Sequence, residues 1–280
     1  MAEPRVLAAG IAFGESVRWH DDRVWLADWA AHEILAVDLA GGREVVARAP
    51  SLPCCFDWLP DGRLVLTAAD GLRRREPDGT LVVHADLRAL SRYGWTDVVA
   101  DGRGHRWANN VGFDFPGGAF APGTIALVAA DGSARQVGDG VAFPNGMAVT
   151  PDDMTLIVAE SYGKRLTAFT IAADGSLSDR RVWADLADGV PDGICLDAGG
   201  AVWYADVPNR RCVRVAEGGR VLDTVTVDRG CFSCALGGRD GRTLFIAATE
   251  WAGTGGMAAI AERRTGQLLA VDVEVPAARR

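Results

Sequence analysis

Along this chain short apolar runs come in pairs, and each pair is split by a turn rich in Gly, Asp or Pro. The stretch "ESVRWHDDRVWLAD" from Glu15 sets the pattern: apolar and polar positions alternate, Asp21-Asp22 interrupts them, and a second apolar run follows. The same grammar returns in "CCFDWLPDGRLVLTA" from Cys54, "TDVVADGRGHRWANN" from Thr96 and "NGMAVTPDDMTLIVAE" from Asn145. It returns again in "DGICLDAGGAVWYAD" from Asp192 and "SCALGGRDGRTLFIAAT" from Ser233. Apolar runs joined by a Gly/Asp turn read as β-hairpins. The units recur every roughly 40–50 residues, the interval of propeller blades. A third run follows the hairpins ("EILAVDL", "TIALVAA", "RLTAFTI", "RCVRVAE"), and often a fourth ("REVVARA", "TLVVHADL"). Four strands in each of six units predict an all-β fold. It is a six-bladed β-propeller with four-stranded antiparallel blades, forming a single domain over residues 1–280. The last unit is one strand short, since "GQLLAVDVEV" is followed only by "PAARR"; the early "PRVLAAG" is expected to supply that strand and close the ring. The longest break in the repeat is "FDFPGGAFAPG" at 113–123, a loop in the third unit, and no ten-residue helical pattern competes.

Composition changes this picture little. Of 280 residues, 49% are hydrophobic and 24% charged, ordinary values for a folded globular chain. A net charge of −8 offers no basic field for nucleic acid or an anionic membrane. No apolar run reaches the ~18 residues of a membrane span, and "MAEPRVLAAGIAFGES" has neither the basic nor the long apolar region of a secretory signal. The expectation is a cytoplasmic monomer or small homo-oligomer that works on a small molecule. The six cysteines are then expected as free thiols.

Aligning the units on their turns brings one position into view. Glu15, Cys54, Thr96, Asn145, Asp192 and, with a residue of slack, Ser233 begin the innermost strands. Inner strands ring the central channel of a propeller, so these positions converge on one mouth. Glu15, Asn145 and Asp192 bring two carboxylates and an amide oxygen, hard donors suited to Ca²⁺, Mg²⁺ or Mn²⁺ and acceptable to Zn²⁺. Taken singly, each could instead cap a turn, as Asn-Gly commonly does; three oxygen donors at equivalent places in a ring favour a metal site. Cys231 and Cys234 form a lone C-x-x-C, weak as a zinc signal, and with Cys54, Cys55, Cys195 and Cys212 they read as small core residues. The histidines lack ligand spacing, no G-x-S-x-G surrounds Ser16, and "GTGGM" at 253–257 reads as a glycine-rich turn.

The stretches "GESVRW", "PNGMAVTPDDMTLIVAES", "PDGICLDAGGAVWYAD" and "CFSCALGGRDGRTLFIAAT" resemble the SMP-30/gluconolactonase/LRE family, which includes regucalcin, bacterial gluconolactonases and drug-responsive lactonases. The resemblance runs over nearly the whole chain. It implies a six-bladed propeller holding one divalent ion in the channel mouth, with Ca²⁺ foremost and Zn²⁺, Mn²⁺ or Mg²⁺ as alternatives. It also implies hydrolysis of lactones or, in some members, of organophosphates. Carried over by motif, the metal ligands are Glu15, Asn145 and Asp192, and Asp192 is also the catalytic base. Blade three departs from the pattern R-x-N-D: in "YGWTDVVADG", Thr96 replaces the Asn and Gly94 stands at the Arg, while Asp97 matches. Losing that arginine removes a bidentate donor for a polyhydroxylated or anionic substrate. This counts against a sugar lactone, and Trp95 points to a more apolar or aromatic one. Thr96, Asp97, Trp95 and the pair Asn109-Asn110 in "WANNVGF" are the substrate-side candidates. The expected activity is a metal-dependent lactonase. The alternatives are a repurposed propeller enzyme, such as an isomerase of a biosynthetic pathway, and a non-catalytic small-molecule binder.

Overall fold

Every predicted hairpin is present and extends into a four-stranded antiparallel sheet, six sheets in all. The computed structural model describes residues 3–278 and, at 256–258 and 261, the backbone only. The innermost strands of blades one to six are Gly14–His20, Phe56–Trp58, Asp97–Ala100, Pro144–Val149, Pro191–Leu196 and Gly230–Gly237. Blades one to five run outward in chain order. In blade six the chain supplies Gly230–Gly237, Thr243–Thr249 and Gly266–Asp272, and the fourth place is taken by Arg5–Ile11. Arg5 pairs with Ala270 and Ile11 with Gly266, so the N-terminal strand closes the ring as expected.

Burial follows position within the blade. Second strands such as Leu64–Ala68, Arg106–Asn110 and Val202–Asp206 are buried at every residue, because sheet neighbours cover both edges and adjacent blades cover both faces. Outer strands such as Leu177–Asp185 are largely exposed and carry charge along their open edge. Apolar clusters fill the gaps between blades, with Trp107 between three and four and Trp203 between five and six.

One feature differs from the sequence expectation. A 3₁₀ turn (Thr254–Gly256) and a short α-helix (Met257–Arg263) stand between the second and third strands of blade six. The glycine-rich "GTGGM" is therefore the entry to a helix. Its sequence, MAAIAER, is rich in helix formers but shorter than the windows in which a helical period shows. Among the described residues no helix is long and apolar enough to cross a membrane.

Candidate functional site

Four inner strands lose register with their neighbours where they begin. The slips fall between Glu15 and Arg18, Pro144 and Met147, Pro191 and Ile194, and Cys231 and Ser233. A bulge frees residues from the ladder and re-aims their side chains. Asn145 and Asp192 lie inside such slips and Glu15 opens one, with Ser16 in the left-handed region at φ 52°. The glycines that follow Asn145 and Asp192 have a different role from turn formation. A Cβ on Gly146 would stand 2.7 Å from Asp192 O, and one on Gly193 would stand 2.6 Å from Ser233 Oγ. Only glycine lets the inner strands of blades four, five and six lie this close, which brings their first residues together. The contact continues into blade one, where Val17 N–H donates to Ser233 Oγ at 2.9 Å.

A second device holds the three ligand positions. The residue before each pairs with an acid that closes the blade's second strand: Gly14 with Asp28, Pro144 with Glu160, Pro191 with Asp206. All three acids are buried. Asp28 accepts the N–H groups of Ala12 and Phe13 at 2.9 and 2.8 Å. Glu160 accepts that of Ala142 at 2.7 Å, and Asp206 that of Val190 at 3.2 Å. Each acid thus fixes the segment leading into its own blade's ligand. The signal was present in the sequence as the strand endings "LAD", "VAE" and "YAD" of these three blades, although a carboxylate at a strand end ordinarily reads as turn chemistry.

Three carboxyl groups at the starts of inner strands, those of Glu15, Asp97 and Asp192, act on one another electrostatically. Burial pushes Glu15 well above the usual carboxylate range, and Asp192 pushes it further. Burial raises Asp192 likewise, with Asp97 and then Cys234 adding to it, while a hydrogen bond from Asn145 pulls the other way. Asp97 is raised by burial and restrained by the Arg18 guanidinium. Arg18 Nη2 lies 3.2 Å from Asp97 Oδ1 and 3.4 Å from Val98 O, spanning from blade one to blade three. Met147 N–H, from blade four, donates to Asp97 Oδ2 at 2.9 Å. Asp97 is thus a strut between three blades, a role its motif alone did not reveal.

The other candidates are placed differently from expectation. Trp95 is fully buried among Leu59, Leu72, Leu87 and Val98, so its ring serves the core beside blades two and three. Asn109 and Asn110 are 0% and 1% exposed, and both amides are committed within the protein. Asn109 Oδ1 accepts the Thr96 hydroxyl at 2.5 Å, and its Nδ2 donates to Asn145 O at 2.7 Å. Asn110 Nδ2 donates to Thr124 Oγ1 at 2.8 Å and its Oδ1 accepts Gly112 N–H at 2.9 Å. Against the expectation of substrate-side groups, Trp95 lies in the core, Asn109 braces Thr96 against blade four, and Asn110 closes its strand as the three acids do. In blade six the counterpart of Glu15 is Cys231, paired with Ala248 as Glu15 is with Ala27, and Ser233 lies beyond the bulge. All six cysteines are free; Cys212, Cys231 and Cys234 share an apolar cluster with Cys195 at its border. Among the described residues no group of three or more His, Cys, Asp or Glu side chains is placed to hold a metal ion.

The oxygen set of Glu15, Asn145 and Asp192 contains two such groups and an amide, and it fits a hard divalent cation on separate grounds. Asp192 Oδ1 is buried with no hydrogen-bond partner. The Asn145 amide favours the charge of Asp192, and Asp192 disfavours the charge of Glu15. A buried acceptor without a donor is costly unless a cation or proton satisfies it. This gives a pH prediction. Acids whose folded pKa is raised favour the folded state below their unfolded value, about 4, and that advantage is lost as pH rises through the folded value. Chelated protein is therefore expected to melt at lower temperature as pH rises above about 4 through the raised range, and a divalent ion to raise the melting point more at pH 8 than at pH 5. A metal-induced shift independent of pH would contradict this assignment.

A family model for the SMP-30/Gluconolactonase/LRE-like region matches residues 13–250. The 6-deoxy-6-sulfogluconolactonase of Pseudomonas putida is 24% identical over 250 residues, covering 85% of this chain and 83% of that protein. A pentonolactonase of Haloferax volcanii is 26% identical over 254 residues, covering 81% of this chain and 84% of its own. Among solved structures, a calcium-binding protein, regucalcin, from Agrobacterium tumefaciens strain C58 superposes with a TM-score of 0.80 at 23% identity, covering 100% of this chain and 98% of that one.

Proposed function

Because the chain belongs to the SMP-30/gluconolactonase/LRE-like family, we propose that it hydrolyses lactones at the mouth of its channel, with Glu15, Asn145 and Asp192 holding a divalent cation. The observation that carries the reading is Asp192 Oδ1, buried and unpartnered in an acidic group that includes an amide oxygen donor. Two relatives named as lactonases of sugar acids support the reaction class, and the Agrobacterium protein, calcium-binding by name, supports Ca²⁺ as the ion. When bound, a divalent ion supplies Lewis-acid charge to the lactone oxygen that becomes negative on attack.

The chain's own residues do the rest. Asp192 accepts the proton of the attacking water as its oxygen bonds to the lactone carbonyl carbon. The ring C–O bond then breaks, the departing oxygen takes the proton back from Asp192, and the product is a hydroxy acid. Arg18 and Met147 N–H fix the Asp97 carboxyl between blades one, three and four, and Asp97 beside Asp192 raises the basicity of Asp192. Thr96 is half-buried and braced by Asn109, and on this reading it is the substrate-side hydroxyl of blade three. Gly94 offers no guanidinium for a sugar's hydroxyls, which argues for a substrate less polar than the relatives' sugar lactones.

The test is acid release from a panel of aldono-, alkyl- and aryl-lactones with Ca²⁺, Mn²⁺ or Zn²⁺ and again after chelation. Chelator-sensitive hydrolysis is the expected result. If no lactone opens in folded, metal-loaded protein, the hydrolase reading falls.

A further inference from the structure

Two aromatic clusters stand at the end of the propeller where the ligand strands begin. The first joins blades one and six. Phe13 meets Phe232 edge-on at 4.7 Å and Trp29 at 5.5 Å, and Trp251 stacks beside Phe13 at 6.4 Å. Ile260 of the blade-six helix seats into the same group. The second joins blades three and four. Phe143 stacks on Tyr162 at 4.5 Å and 25°, Phe115 meets Phe143 at 4.9 Å, and Phe120 meets both Phe113 and Tyr162 at 5.7 Å. In a ring of six blades, one lies opposite four and three opposite six, so the clusters stand on facing sides of the mouth.

Chain connectivity ties both clusters to the candidate site. Phe13 lies two residues before Glu15, and Phe143 two residues before Asn145. Their backbones are pinned by the acids that position the ligands: Asp28 takes Phe13 N–H, and Glu160 takes the N–H of Ala142, next to Phe143. Phe143 is held at φ 58°, a conformation costly for a bulky residue and one that concentrates where a binding surface demands it. Phe120 and Tyr162 are each 53% exposed although apolar neighbours are within reach, so the second cluster presents an open face. Core packing does not require such a face.

We infer that this mouth is an apolar subsite, and that the substrate is a lactone whose ring carries an alkyl or aryl arm laid against Phe120, Phe143 and Tyr162 while the lactone carbonyl lies at Asp192. The inference rests on the lactonase reading for the reaction and adds the substrate class. It replaces the buried Trp95 with exposed rings as the source of apolar preference. Each methylene buried against the rings is worth about fourfold in affinity, so a six-carbon arm should dominate binding.

Two measurements test it. The first compares kcat/KM for γ-butyrolactone with that for the same ring carrying a hexyl arm, in wild type and in the double variant Phe120→Ser/Tyr162→Ser. The second measures Kd for the matching lactams, which resist hydrolysis, by calorimetry. Wild type should favour the hexyl ligand at least tenfold in both, and the double variant should lower that ratio at least tenfold. Metal-dependent turnover with no preference for the arm would overturn the subsite and leave the lactonase standing. Tight binding of the hexyl lactam without turnover of any lactone would uphold the subsite and remove the hydrolase. An arm preference unchanged in the folded double variant would contradict the assignment to these rings, as expected if the face instead binds a partner protein.

Discussion

Replacing Asp192 with Asn lowers kcat by at least two to four orders of magnitude, the usual worth of a general base, without unfolding the propeller. The substitution keeps shape and volume, and the neighbouring Gly193 contact with Ser233 is untouched. It removes the proton uptake the reaction asks of this position and one charged oxygen from the cation site, so kcat is compared at saturating metal. Stability should move in the opposite direction from activity. Burial and the nearby Asp97 disfavour a negative charge on Asp192, so a neutral amide relieves repulsion in the chelated protein. The variant, without metal, is expected to melt no lower than wild type at pH 8. Hydrolysis within tenfold of wild type by the folded, metal-loaded variant would remove Asp192 as base.

The second large effect lies away from the channel. Glu160 is fully buried and receives Arg165 Nη2 and Arg180 Nη2, both at 3.0 Å, the Thr167 hydroxyl at 2.5 Å and Ala142 N–H. Despite burial its carboxyl stays below the usual range because these donors hold it ionised. Glu160→Gln leaves two guanidinium groups facing a neutral amide. Breaking a buried ion pair costs about 3–5 kcal/mol, and the lower end applies because both arginines are 35% exposed. The change also loosens the segment that delivers Asn145, so metal affinity should fall about tenfold, the scale of a lost supporting contact around a ligand. Denaturant unfolding and metal titration of the one variant read both consequences. A destabilised protein with unchanged metal affinity would make Glu160 a structural residue with no positioning role.

The hairpin grammar carried the architecture because blade strands are short, regular and bounded by Gly/Asp turns, and the missing strand in blade six told where the N-terminal run must go. Glu15, Asn145 and Asp192 were legible because a repeat converts sequence position into spatial position. What lay beyond the sequence was geometry at sub-residue scale. Alternation along an inner strand decides whether a side chain faces the channel or a blade interface, and a bulge shifts that alternation by one. This is why Cys231 and not Ser233 matches Glu15. Trp95 precedes its inner strand, so no alternation told which way its ring would turn, and it turns into the core. Asn109 and Asn110 could not be told from substrate donors, since their partners Asn145 O and Thr124 Oγ1 sit on strands distant in sequence. Arg18 was invisible for the same reason: its partner Asp97 is two blades away.

Calorimetric titration of chelated protein with Ca²⁺, Mn²⁺ and Zn²⁺, run in two buffers of different ionisation heat, shows whether Glu15, Asn145 and Asp192 hold a cation. One ion is expected to bind per chain with protons released as Glu15 and Asp192 ionise, and affinity to fall at least tenfold in Glu15→Gln or Asn145→Ala. Folded protein that binds none of these ions, or binds one with an affinity indifferent to both substitutions, would contradict the cation site.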